Sequence, residues 1–289
     1  MNENHYPKGS SKGGQFAPKD GAAVANAMGL SEADLSFDVR KQGEMDSRYV
    51  KDSLPPLASY PPEIRQTASA LHEQSLANEA PITEDMRGIS KLIGGDMVGL
   101  DHVVKSPDSI AHKLQENMEY YGNTAQEAVE WCDDLIRYTI LFNPDEFAGS
   151  TNDFIEALMS RGYKVRYLQN RYLASKNGMM QEGYKDIGLK LVSPNGHKVE
   201  VQFMLPKMYA AKNGLSIDEH GNFFQRADGI MSGHDYYDMQ KQAKIGDLPD
   251  DEKQERLRYL DYMNRTIYKD VEIPNGVENI RRENYYGRE

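Results

Sequence analysis

Lys105, Ser109 and Lys113 stand four residues apart, so in a helix they fall along one stripe, opposite much of the Ile110 and Leu114 face. Ser106-Pro107-Asp108 marks the start of that helix. The serine side chain caps free N–H groups, and proline loses nothing at the first helical position. Two cations and a hydroxyl beside the positive end of a helix dipole would hold a polyphosphate. The same spacing also describes a solvated helix face.

Two acidic positions could complete such a site. Asp133 and Asp134 directly precede an apolar run that begins at Leu135 and contains Arg137. Further on, Val199, Val201 and Phe203 alternate with Glu200 and Gln202, so a strand there turns its apolar residues to one face and its polar pair to the other. That polar face is either a water-exposed edge or the floor of a polar site. Carboxylates from different strand ends could hold Mg²⁺, which takes oxygen ligands and commonly uses one or two carboxylates plus substrate phosphates. Taken singly, each is a capping or surface acid. Other chemistries lack support: the seven histidines form no HExxH spacing, Gly9 to Gly14 lacks the order of a phosphate-binding Walker loop, and no GxSxG is present. Cys132 is the single cysteine, so no disulfide framework or thiolate cluster is expected, and a reducing cytoplasm fits.

The elements that must position these residues follow from periodicity. Ile110, Leu114 and Met118 predict a helix from Ser106 to about Tyr121; Leu135 to Phe142 reads as a strand, and Thr151 to Ser160 as a helix stopping at Gly162. Tyr163 to Leu168 reads as a second strand. Tyr184 to Val192 and His197 to Phe203 read as a hairpin around Ser193-Pro194-Asn195-Gly196. The Gly- and Asp-containing stretch after Lys212 reads as an insertion or long loop over 213–233, and Asp250 to Tyr268 as a long amphipathic helix. Strands interleaved with helices predict an α/β or α+β domain, a sheet with helices packed on it. The expected organisation is a flexible basic Gly/Lys/Ser tail over 1–30, a helical arm or linker over 31–80, the sheet domain over 81–245, and a C-terminal helix and tail over 246–289.

The 289 residues carry 34 Lys and Arg against 45 Asp and Glu, a net charge of −11. That argues against general coating of nucleic acid, which rests on many cations facing phosphates, while leaving room for a local basic pocket. No apolar stretch approaches the ~18 residues of a membrane span, and the first residues lack an apolar signal core, so neither membrane insertion nor secretion by a cleaved signal is expected.

Taken in order, Gly99-Leu100, Lys105 to Leu114, Asp134 to Thr139, Gly183-Tyr184-Lys185 and Val199 to Phe203 resemble the synthetase domain of the RelA/SpoT family, and within it the small toxin-like members of phages and polymorphic toxin systems. The resemblance covers about residues 82 to 241. It implies a nucleotidyltransferase-like mixed sheet flanked by helices and transfer of the β,γ-pyrophosphate of ATP to the 3′-hydroxyl of GDP or GTP (the alarmone reaction), of an adenosine nucleotide, or of a tRNA 3′ end. By motif position it assigns Lys105, Ser109 and Lys113 to ATP, Arg137 to phosphate, and Asp134 to Mg²⁺ with Asp133 as the neighbouring choice. Glu200 falls to the acceptor hydroxyl or the metal. Tyr184 would stack on the acceptor base, with Gln202, Lys212, His234 and Tyr237 on the acceptor side. A cytoplasmic protein is implied, in a host cell or virion-associated if phage-encoded, with an antitoxin as a conceivable partner.

Three positions depart from the family pattern: Val103 where the family usually has arginine, Met204-Leu205 after the strand, and Gly188 where histidine or asparagine is common. They define an alternative, a catalytically degenerate nucleotide-binding member. The tail segment Lys12 to Lys19 also resembles short stretches of phage head-associated proteins, which gives a second alternative, a structural or packaged protein whose tail binds virion partners.

Overall fold

The computed structural model describes residues 54–173, 183–226, 231–245 and 249–280. The tail read over 1–30 and the arm up to residue 53 lie outside them. The described residues divide into two compact units, one of 54–173, 185–206 and 272–280, the other of 183–184, 207–226, 231–245 and 249–271.

In the first unit, α1 (Pro62–Ile93) begins with proline at its first position and ends at Gly94, whose φ of 90° is the left-handed conformation glycine adopts cheaply. It runs through Pro81, so the residues read as an arm before position 81 and those read as domain after it share one helix. Its buried residues, Ala68, Ser75, Ile82, Met86 and Ile89, recur at helical spacing and face inward. A short β1 (Asp96–Val98) follows. Helix α2 (Pro107–Tyr121) is capped by Ser106, which accepts from Ser109 N–H, and α3 (Ala125–Glu130) opens with a reciprocal Thr124/Glu127 capping box. Both starts follow from local sequence chemistry.

The remaining elements are β2 (Ile136–Leu141), α4 (Phe147–Ser160), β3 (Lys164–Asn170), β4 (Ile187–Val192) and β5 (Lys198–Met204). The sheet order is β1-β2-β5-β4-β3, with β2 and β5 parallel and the other pairs antiparallel. The expected mixed sheet with helices packed on it is therefore present, and β5 lies at its centre rather than at an edge. Ile136, Tyr138, Ile140, Leu189, Val201 and Phe203 are fully or almost fully buried. The Phe154 and Phe203 rings meet edge-on at 5.3 Å, which fixes α4 against the sheet. Tyr60, Ala68, Ile110, Leu114, Cys132 and Leu135 form a second cluster joining α1 and α2.

Ser75 and His197 tie α1 to the start of β5: the serine hydroxyl and His197 Nε2 are 3.2 Å apart, and both side chains are buried. Burial first, and Lys198 second, hold the imidazole below its ordinary pKa. The neutral ring therefore belongs to the folded state. Its contribution to stability is complete above the unfolded value of ~6.5 and is lost as pH falls through the lower folded value. The urea midpoint is expected to drop between pH 7.5 and 5, and His197→Gln should flatten that slope; an unchanged slope would show that another group carries it.

The second unit opens with α5 (Pro206–Asn213), followed by β6 (Leu215–Ile217), β7 (Phe223–Gln225), α6 (Gly233–Ile245) and α7 (Asp250–Tyr268). The stretch read as a long loop holds the β6–β7 hairpin. Asp218 accepts from the N–H groups of His220 and Asn222, both at 2.8 Å, and so closes its turn. Three-residue strands are too short to leave a periodic signal. Tyr236, Met239, Ala243, Tyr259, Leu260 and Met263 form the core between α6 and α7. Among the described residues no helix is long and apolar enough to cross a membrane.

Candidate active site

Register across three strands sets the centre of the site. Arg137 on β2 stands opposite Glu200 on β5, and Glu200 stands opposite Lys190 on β4, so the three share one row on one sheet face. Lys190 Nζ lies 2.7 Å from Glu200 Oε1, and the glutamate side chain is 5% exposed. Gln202 donates to the same oxygen over 3.5 Å. The polar pair on β5 is therefore the floor of a polar site. Burial alone would raise the Glu200 pKa, but Lys190 and Arg137 outweigh burial and the nearby Asp134, holding the carboxyl below its ordinary value.

Beside this row, Asp134 receives two ammonium groups, Lys105 Nζ at 2.9 Å and Lys113 Nζ at 2.5 Å. Burial opposes its ionisation, yet the two lysines hold Asp134 far below the usual carboxylate range. Lys113 responds in the opposite sense: burial lowers it, but Asp134, Cys132 and Glu200 together raise it above its ordinary value. Lys105 stays below its ordinary value because burial, Lys113 and Arg137 prevail over Asp134. These shifts couple the lysine pair to Asp134, Arg137 and Glu200 electrostatically.

The single helical stripe expected for Lys105, Ser109 and Lys113 needs correcting. Lys105 precedes the helix: its N–H donates to Leu135 O at 2.9 Å, and the adjacent Val104 bridges to Ile136. One lysine reaches Asp134 from an extended segment beside β2, the other from α2. Ser109 stays at the helix start, its hydroxyl accepting from Ser106 at 3.0 Å. The neighbouring Asp133 turns to a different cluster, paired with Arg166 and 3.8 Å from Lys198 Nζ. Two adjacent acids at a strand entrance face opposite ways, so Asp134 alone joins the lysine pair.

The departures have structural explanations. Val103 is 6% exposed and its carbonyl accepts from Arg137 N–H at 2.9 Å; Met204 and Leu205 are fully buried. These positions serve the core. Tyr184, Lys212, His234 and Tyr237 belong to the second unit. There Lys212 Nζ sits 5.7 Å from the Tyr184 ring centroid, Tyr268 packs edge-on against Tyr184 at 5.8 Å, and His234 pairs with Asp238 at 3.7 Å.

Solved structures similar to this chain include the following three. One is the complex between the Type VI effector Tas1 and its immunity protein, 19% identical, with a TM-score of 0.43, covering 71% of this chain and 97% of that one. A GTP pyrophosphokinase family protein from Streptococcus pneumoniae is 14% identical, with a TM-score of 0.35, covering 72% and 87%. The protein smu.1046c from Streptococcus mutans UA159 is 15% identical, with a TM-score of 0.34, covering 70% and 90%. No family model and no curated protein matches.

Lys190 is the residue that motif reading missed. Ser193 N–H donates to His197 O at 2.8 Å, and counting back from that pair places Lys190 opposite Glu200; the four-residue turn read from the sequence would have placed it opposite Val199. Among the described residues no three or more His, Cys, Asp or Glu side chains are grouped to hold a metal. Asp134 and Glu200 still supply the oxygen donors that Mg²⁺ takes alongside phosphates, so the donor set fits that ion.

Proposed function

We propose that the sheet unit is a pyrophosphokinase that moves the β,γ-pyrophosphate of ATP to the 3′-hydroxyl of an acceptor nucleotide and arrests growth when active. The observation that carries this reading is the placement of Glu200 on the central strand, in one row with Arg137 and Lys190 and coupled to the Lys105–Asp134–Lys113 cluster. Phosphoryl-type transfer asks a protein for positioning and charge neutralisation more than for covalent chemistry. Lys105, Lys113 and Arg137 neutralise the transferred and departing phosphates, and Ser109 lies at the positive end of α2. Glu200 takes the proton of the attacking 3′-hydroxyl; Lys190 keeps it ionised and oriented. Asp134, with Glu200, would hold Mg²⁺, which would supply positive charge against the phosphates. Asp133 is left out of this set because its partners are Arg166 and Lys198.

Tyr184, Lys212, His234 and Tyr237 remain the proposed acceptor-side residues of the second unit, together with Gln202 on β5. An immunity-type protein that neutralises the activity is the proposed partner. The test is purified protein with γ-labelled ATP, Mg²⁺, and GDP, GTP, AMP, ADP or deacylated tRNA in turn. Label is expected on one acceptor class; ATP binding without label on any acceptor would favour a degenerate nucleotide binder.

A further inference from the structure

Gly188 lies on β4 opposite Gln202, two residues from Lys190, and so shares the polar face with Glu200. It has no side chain, and its place is taken from elsewhere. A Cβ built at Gly188 would lie 2.9 Å from Arg171 Nη1 and 3.6 Å from its guanidinium carbon. Arg171 follows the end of β3, its N–H donates to Asp186 O at 2.9 Å, and its guanidinium pairs with the fully buried Asp186 carboxylate. The glycine leaves room for the guanidinium beside the sheet backbone, and Asp186 anchors it there. Its side chain remains 20% exposed.

Two cationic groups thus flank Glu200. Lys105, Lys113 and Arg137 lie on the β2 side, Lys190 and Arg171 on the β4 side. Counting Asp134, Glu200 and Asp186 against these five cations leaves a local excess of positive charge in a chain of net charge −11. Two strand spacings separate the outer members of the row, ~10 Å, enough to keep two anionic groups apart.

We infer that Arg171, seated over Gly188, binds a 5′-phosphate of the acceptor, and that the acceptor is a free nucleotide rather than a tRNA end. This rests on the proposed pyrophosphate transfer. A rigid guanidinium fork can hold a carboxylate on one edge and a phosphate on another, whereas an ammonium acts as a point charge. The acidic chain disfavours the broad phosphate contact that tRNA requires, while a small local excess of cations suits one nucleotide.

The experiment compares wild type, Arg171→Ala and Gly188→Ala with GDP and ADP, with guanosine and adenosine, and with deacylated tRNA. The added methyl of Gly188→Ala meets only the guanidinium end of the long Arg171 side chain and no backbone, so that variant is expected to keep its fold. The nucleotide-to-nucleoside ratio of kcat/KM should fall about 10- to 100-fold in Arg171→Ala, the scale of hydrogen bonds to charged groups, and several-fold in Gly188→Ala. An unchanged ratio, or preferred transfer to tRNA, would overturn the inference. If wild type transfers to nothing, the enzyme reading fails separately, and calorimetric titration of GDP and ADP then decides. Weaker binding by Gly188→Ala supports the phosphate site, and equal binding overturns it. Should Arg171→Ala unfold because Asp186 loses its partner, Arg171→Ala with Asp186→Asn takes its place in both assays.

Discussion

Glu200→Gln is expected to lower pyrophosphate transfer by about 10²- to 10⁴-fold, the range a positioned general base supplies, while metal-free ATP binding changes little. The substitution keeps side-chain volume and removes the charge. Glu200 is almost fully buried on the central strand, so its carboxylate cannot swing away and be replaced by water. Its loss leaves Lys190 and Arg137 facing each other across β5 without a counter-ion. Lys190 is 21% exposed and can redirect its ammonium to solvent, so the stability cost should fall below the ~3–5 kcal/mol seen when one partner of a fully buried pair is removed. Labelled-ATP transfer and urea unfolding separate the two effects, and growth after induction in bacteria reports the biological one. Wild type should arrest growth and the variant should not. A folded variant with undiminished transfer would remove Glu200 from the chemistry.

The fold was readable wherever the sequence carries a local device. Ser106-Pro107 fixes the start of α2, and alternation around Glu200 predicts a strand with one polar face. What could not be read was set by tertiary contact. The boundary read between residues 80 and 81 falls inside α1, which continues through Pro81 because its inward stripe packs on both sides of that residue. Lys105 joins Lys113 through strand pairing beside Leu135 rather than through helical spacing. Asp133 and Asp134 are indistinguishable as neighbours in a sequence, and only the positions of Arg166 and Lys113 part them. The same holds for Gly188, whose missing side chain reads as a loss until Arg171 is seen in its place.

Asp134→Asn should separate binding from chemistry in opposite directions. Asp134 accepts from both Lys105 and Lys113, so it occupies a position at those ammoniums that a phosphate oxygen would take. A polyphosphate must displace the carboxylate to reach the lysines, and the carboxylate also repels it. Both costs vanish in the variant, since a neutral amide holds an ammonium far less firmly than an ion-paired carboxylate does. Metal-free ATP is therefore expected to bind about 10-fold or more tightly to Asp134→Asn, measured by titration in the presence of EDTA; this is the scale of a charge-assisted hydrogen bond exchanged. Transfer in Mg²⁺ should fall instead by at least ~10²-fold, because a proposed oxygen ligand is gone and the freed lysines hold phosphate without directing it. A carboxylate that served only to stabilise the fold would change neither quantity in a correctly folded variant, and one that served only as a metal ligand would leave metal-free binding untouched. Tighter metal-free binding together with lost transfer is the result that requires Asp134 to guard the phosphate site as well as to serve it.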